Sequence, residues 1–288
     1  MLSPGEHQVG PQSRHRNWEL LLALIQRELR SRYRGSYLGW LWALAKPLVM
    51  LLIYGLVIGV FLGAAESIPE FMLFIFVGLL AWNLFSAIVS GSINSVLTSA
   101  PLITKHRFPI ILVPIANVAV ALVDTAIQGL VLVLGYALVR DWPSLGSIAN
   151  LPLALVGVIL FGLALGLVLS ALNVYARDIG FLTEVALQVG FWLCPIVYSY
   201  GFVERAAATY GLSVEWVTRI YMLNPMANGV LGFQRSLWPP ASTPEGVLLS
   251  FPGQLEERLI VFLFFSGMLL AVSVLIFKRL SRNFAQEL

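Results

Sequence analysis

The sequence predicts an all-α protein that crosses a membrane six times. Charged residues make up 11% of its 288 residues, against about a quarter in soluble domains, and mean hydropathy is +0.84. The 18 basic and 15 acidic residues crowd into short gaps between long uncharged runs. A bilayer imposes that distribution, because a charge at its centre costs several kcal/mol. Ordinary soluble enzymes are excluded.

Runs able to cross about 30 Å of hydrocarbon at about 1.5 Å per residue lie at 38–62, 71–93, 110–138, 151–173, 181–200 and 258–277. Ahead of them, residues 1–16 are polar and read as a flexible tail with no signal-peptide pattern. Over 17–34, Trp18, Leu21, Leu22, Ile25 and Leu29 recur at helical spacing while Arg27, Glu28 and Arg30 occupy other faces. This predicts an amphipathic helix lying on the membrane surface, and Gly35 and Gly39 permit the turn into the first span. Twelve Lys and Arg residues fall on one side of the spans and five on the other, with Lys46 inside the first span. The positive-inside rule then places both termini in the cytoplasm.

Between the second and third spans, residues 98–109 form a compact cytoplasmic loop. Pro101 can start a short helix and Pro109 ends it, with Leu102, Ile103 and Phe108 as apolar knobs beside Lys105 and Arg107. A basic membrane-surface loop and a helix that docks on a cytoplasmic partner both fit. The segment 201–257 is the one sizeable external element. Asn224 and Pro225 read as N-cap and first residue of a helix running to about Trp238, and a shorter helix spans 215–222. Their apolar and aromatic residues predict half-inserted or interfacial helices.

Polar residues at helical spacing inside a bilayer must face protein or water. The second span carries Asn83, Ser86, Ser90 and Asn94, the third Asn117, Asp124 and Gln128, and the fifth Glu184 and Gln188 on a face with Trp192. Asp124 differs from Lys46 in depth by roughly 9 Å by residue count, so it reads as a structural group paired to a polar neighbour rather than an ion site. Gly162, Gly166 and Ser170 make a small-residue packing face. Pro195 should kink the fifth span. Trp42, Trp142 and Trp238 read as interfacial anchors. Tyr33, Tyr37 and Trp40 share one face if the helix runs unbroken, and aromatic faces beside polar groups suit sugar rings.

The chain is not expected to be its own P-loop ATPase. Its three lysines, Lys46, Lys105 and Lys278, follow Ala45, Thr104 and Phe277, so no Gly-Lys-Ser/Thr phosphate loop exists. One cysteine, Cys194, and three scattered histidines, His7, His15 and His106, form neither a disulfide nor a metal set.

The run RYRGSYLGWLW from Arg32 to Trp42 leading to Pro47-Leu48, LITKHRFP from Leu102 to Pro109, NVYARD from Asn173 to Asp178, CPIVY from Cys194 to Tyr198, and Asn224-Pro225 together resemble the membrane subunit of ABC-2 type polysaccharide exporters. The resemblance covers the chain from Trp18 onward. It implies a six-helix transmembrane domain over 35–288, assembled as a homodimer in the bacterial inner membrane with two copies of a separate ABC ATPase. ATP and magnesium would sit on that partner, with no cofactor in this chain. Membrane lipid and a lipid-linked polysaccharide would be its other partners, and nucleic acid would not. It also implies an ATPase-coupling helix over 101–109, using Leu102, Ile103, Lys105, His106, Arg107, Phe108 and Pro109. The substrate path would take Tyr33, Tyr37, Trp40, Glu184, Gln188 and Trp192. Arg32, Arg34, Arg177 and Asp178 would form a cytoplasmic gate, and Trp216, Tyr221, Asn224 and Pro225 an external gate within helices over 203–238. The competing classes are an ABC-2 exporter of a small hydrophobic compound or lipid, an ion-coupled secondary transporter using Asp124 or Glu184, and a membrane-embedded transferase. The last would need converging acids, bases or metal ligands, which the sequence does not offer.

Overall fold

The computed structural model describes residues 11–33, 41–105, 108–238 and 251–287, and among these every regular element is helical. In chain order they are α1 (Pro11–Tyr33), α2 (Leu41–Tyr54) with a π-helical continuation over Gly55–Phe61, α3 (Ala64–Ser67), α4 (Phe71–Thr98), α5 (Ala100–Lys105), α6 (Leu112–Val139), α7 (Leu145–Ile148) and α8 (Leu151–Tyr175). There follow α9 (Asp178–Trp192), α10 (Tyr200–Thr209), α11 (Val214–Tyr221), α12 (Pro225–Leu237), α13 (Leu255–Leu280) and α14 (Phe284–Glu287). Among the described residues five stretches are long and apolar enough to cross a membrane: Leu44–Phe61, Phe71–Thr98, Leu112–Val139, Leu145–Tyr175 and Leu255–Asn283. They coincide with the first four predicted runs and the last. Helix α1 begins at Pro11 and so takes in the end of the stretch expected to be a tail.

Helix α4 is the central post. Of its most apolar stretch 78% is buried, against 17% for the first crossing stretch and 22% for α13. Helix α8 packs on it through the small-residue face. A Cβ on Gly166 would stand 2.7 Å from Ser92 Cβ, and one on Gly162 would stand 3.2 Å from Ile88 Cγ2. With Ser170 fully buried beside them, the two helices approach as closely as the glycines predict.

The run expected at 181–200 differs. Helix α9 stops at Trp192, a non-helical link covers 193–199, and α10 starts at Tyr200. The kink expected at Pro195 is thus a helix end. Pro195 has no N–H to give the Phe191 carbonyl, and the Cys194 N–H turns back to it at 3.2 Å. The freed carbonyls of the link find partners on α12: Asn224 Nδ2 donates to Leu193 at 3.2 Å and Gln234 Nε2 to Pro195 at 2.7 Å.

Helix α12 begins as predicted, with Asn224 Oδ1 accepting from the Met226 N–H at 3.0 Å and Pro225 in the first turn. Its position goes beyond the expected interfacial one. It enters the bundle against α4, α8 and α13, with Val230 and Gln234 fully buried. Gly229 and Gly232 permit that approach: a Cβ on Gly232 would meet Ala154 Cβ and Leu259 Cδ2, each at 2.7 Å. Trp238 therefore leaves the interfacial belt assigned to it. It is 3% exposed and stands edge-on to Phe74 at 5.7 Å.

Candidate functional site

One end of the bundle is basic and carries α1 and α5. Leu24 of α1 is buried with Val113 and Ala116 of α6, and Leu21, Ile25, Leu102 and Phe108 pack around them. Ile103 joins a second cluster formed by Val96, Leu167, Ala171, Val174, Phe277 and Phe284. Arg27 Nη2 donates to the buried Ser99 Oγ at 2.8 Å, which ties α1 to the α4–α5 junction. The loop's apolar knobs therefore pack into this chain rather than project from it. Its exposed residues are Pro101, Thr104, Lys105 and Pro109. His106 and Arg107 lie outside the described residues, as do Arg34, Tyr37 and Trp40 and the side chains of Arg32 and Tyr33.

Asn83, Ser86 and Ser90 of the second span's stripe and Asp124 and Gln128 of the third's converge on one cavity between α2, α4 and α6, whereas Asn117 lies against Gly91. The cavity measures about 230 Å³ and is lined by Trp42, Lys46, Asn83, Ser86, Ser90, Asp124, Thr125 and Gln128, with Pro47, Met50, Leu79, Ala87 and Ala121 as its apolar wall. Asp124 and Gln128 are each 6% exposed. Asn83 Nδ2 donates to Gln128 Oε1 at 3.0 Å. Residue counting separates Lys46 from Asp124 in depth, yet both line this cavity. The signal available in the sequence was the matching spacing of the two stripes; what it lacked was the placement of α2 across both.

Glu184, Gln188 and Trp192 do share one face of α9, and all three are exposed. The apolar cavity beside α9 is lined instead by Ile179, Leu182, Thr183, Ala186, Leu187 and Gly190, and Trp192 stands edge-on to Tyr54 at 6.3 Å. Arg177 and Asp178 are exposed at the bend between α8 and α9. Asn173, which carries no assigned role in the sequence, organises that bend: its Oδ1 accepts from the Gly180 N–H at 3.0 Å and its Nδ2 donates to the Ile93 carbonyl at 3.3 Å.

At the opposite end, Trp216 of α11 is exposed, whereas Tyr221 is half-buried with its hydroxyl 3.2 Å from that of Tyr198. Burial pushes the Tyr221 phenol well above its ordinary value, and Tyr198 beside it acts in the same direction. Asn224 and Pro225 start α12, and Asn228 Nδ2 donates to the carbonyls of Met222 and Asn224, each at 3.0 Å. Gln234, missed as a functional candidate, joins α12 to the link after α9. An amide following the apolar and small residues Val230 to Phe233 was its signal.

Comparison with known proteins agrees with this architecture. Residues 19–238 match the family model described as ABC-2 type transporter. The chain is 34% identical over 216 residues to the O-antigen export system permease protein RfbA of Myxococcus xanthus, covering 75% of this chain and 78% of that protein. Two proteins of the same name from Klebsiella pneumoniae are 26% and 25% identical over 272 residues, each covering 94% of this chain and 95% of the relative. The match spans more than half of the chain and runs from α1 through α12, so the chain belongs to the ABC-2 type transporter family.

Proposed function

We propose that this chain is the membrane subunit of an ATP-driven exporter that moves a lipid-linked polysaccharide out across the bacterial inner membrane. The observation that carries the reading is the similarity to O-antigen export permeases over nearly the whole length of both chains. The sequence supports it by having no phosphate loop of its own. Energy must then come from a separate ABC ATPase, two copies of which hold ATP and magnesium and serve a homodimer of this chain.

The basic end faces the cytoplasm in this reading, and both termini lie there. Helix α5 and its flanks transmit the ATPase motion, with exposed Lys105, Thr104 and Pro109 touching the partner and half-buried Leu102, Ile103 and Phe108 passing displacement to α1, α6 and α8. Helix α9 is the sixth crossing. It is short, about 22 Å for its 15 residues, and the link over 193–199 with α12 completes the passage. Its exposed face, Glu184, Gln188 and Trp192, meets the other copy or the glycan path, and α10 to α12 form the external gate. A cavity of about 480 Å³ with an almost wholly apolar lining between α4, α8 and α9 favours, as a second reading, a hydrophobic compound or lipid as cargo.

Deletion of this chain should leave the completed glycan inside the cell. Export should return when the chain is supplied with its ATPase, and not with an ATPase whose phosphate-loop lysine is replaced. Export by the chain with no active ATPase would overturn the reading. Normal glycan export by the deleted strain would favour hydrophobic cargo.

A further inference from the structure

Helix α5 is six residues long, and none of them is buried. Its position is therefore set by what its half-buried side chains rest on. Leu102 rests on the cluster around Leu24, Val113 and Ala116 of α1 and α6. Ile103 rests on the second cluster, which also takes up Ile110 and Ile111 just before α6. That cluster thus carries both the helix and the chain that leaves it.

One member of the second cluster comes from far along the chain. Helix α13 ends at Leu280, a 3-10 turn covers Ser281–Asn283, and α14 opens with Phe284. Arg282, Asn283, Gln286 and Glu287 around it are exposed, yet Phe284 is fully buried. Its ring stands edge-on to Phe277 at 5.8 Å and to Tyr175 at 6.1 Å. Tyr175, the last residue of α8, donates its hydroxyl to the Leu280 carbonyl at 2.9 Å. Helix ends leave such carbonyls without an intrahelical partner, so α8 supplies one at the turn that delivers Phe284. Fastening α13 to α8 does not call for this residue. Leu259, Phe262, Ser266, Ser273 and Phe277 are already buried along the length of α13, which packs on α8. What Phe284 adds is a wall of the cluster under Ile103.

We propose that Phe284 is a positioning residue for α5: it fixes the seat of Ile103, and through that seat it determines how much of the ATPase's motion reaches the crossing helices. The functional half of the proposal rests on the exporter reading; the positional half does not.

Hydrogen–deuterium exchange on the full chain in lipid nanodiscs tests the position. In Phe284→Ala the amides of Leu102 to Lys105 should exchange about tenfold faster, because losing a buried phenyl ring removes more free energy than a tenfold change represents. The amides of α12 should be unchanged. Phe262→Ala is an equal truncation of a buried ring beside Gly229 of α12. It should give the opposite pattern, faster exchange in α12 and none added in α5. Phe284→Leu, which keeps most of the apolar bulk, should restore slow exchange. Unchanged exchange in α5, or equal acceleration in α5 and α12, would overturn the seat. If Phe284→Ala does not accumulate, Phe284→Val is judged by the same outcomes. The coupling is tested with the permease and its ABC ATPase in proteoliposomes. Phe284→Ala should hydrolyse ATP at the wild-type rate and export about fivefold less glycan per ATP. An unchanged ratio would overturn the positioning role. A wild-type complex without ATP-driven export would instead overturn the exporter reading, and the exchange pattern would still decide the seat.

Discussion

Gly232 shows how tightly the buried hairpin helix is fitted. A methyl group there would stand 2.7 Å from Ala154 Cβ, an atom that no rotamer change can move away. Gly232→Ala should therefore cost about 1–3 kcal/mol through forced backbone displacement. Gly267→Ala, at a helical site with nothing within 4 Å, should leave stability unchanged or slightly raised. Thermal unfolding of the two purified variants, monitored by size-exclusion chromatography, checks the contrast, and equal melting temperatures would remove the close-approach argument. Gln234→Leu should cost about 1–3 kcal/mol, because it strands the buried Pro195 carbonyl. The roles of Gly162, Gly166 and Asn224 were legible in the sequence, because small-residue spacing and capping are local rules. That of Gln234 was not, since its acceptor lies 39 residues away.

At the scale of elements, α5 separates two jobs that the sequence assigned to one set of side chains. Ile103 packs against Val96, Leu167 and Phe277, whereas Lys105 is exposed. Ile103→Ala should lower the stability of the purified permease by about 2 kcal/mol, while Lys105→Glu should leave its melting temperature alone and weaken co-purification with the ATPase. The reverse pattern would restore the apolar knobs as the docking surface. The α10–α11 hairpin has its own signature in alkali. An unfolded tyrosine titrates near about 10, and the folded Tyr221 phenol titrates higher. Below about pH 10 both states hold the proton and stability does not change; above it the unfolded state alone ionises, so stability falls as pH rises. Cleavage within 203–222 by an alkaline protease should accelerate above that pH, and Tyr221→Phe should flatten the dependence. The sequence showed the existence and start of α12 through its cap and proline. It could not show that α12 is inside the bundle, because an apolar face on a helix fits lipid and protein equally.

Across the whole molecule, hydropathy identified crossing helices and said nothing of their order inward. The first crossing stretch and α4 have mean hydropathies of 2.2 and 2.3, yet 17% of one and 78% of the other is buried. Lipid tails are as apolar as leucine, so composition does not separate a central helix from a peripheral one. Only the polar stripes and glycines carried directional information, and they did bring α4, α6 and α8 together. The exposed face of α9 makes a prediction at this scale. Single cysteines at 184 and 188, in a background lacking Cys194, should react with a water-soluble thiol reagent or cross-link two copies. Those at 162 and 166, facing Ile88 and Ser92, should do neither. Inert cysteines at 184 and 188 would place that face against lipid and remove it from any path or dimer contact.

The π-helical stretch over Gly55–Phe61 fixes a reading frame in space. A π turn holds more residues than an α turn, so it acts as an insertion absorbed within an otherwise continuous helix. Upstream of it, Lys46 lines the polar cavity; within it, Gly59 is buried where a Cβ would lie 2.8 Å from the Phe71 ring. Excising one residue, such as Val57, would let the segment relax to α-helical winding, which takes the insertion out again and leaves the two flanks close to their present orientation. The lysine and the glycine can then both keep their places. A homologue shorter by one residue in this stretch should therefore keep its basic group at the position aligned with Lys46, so that an alignment of related chains shows an isolated gap with no compensating shift.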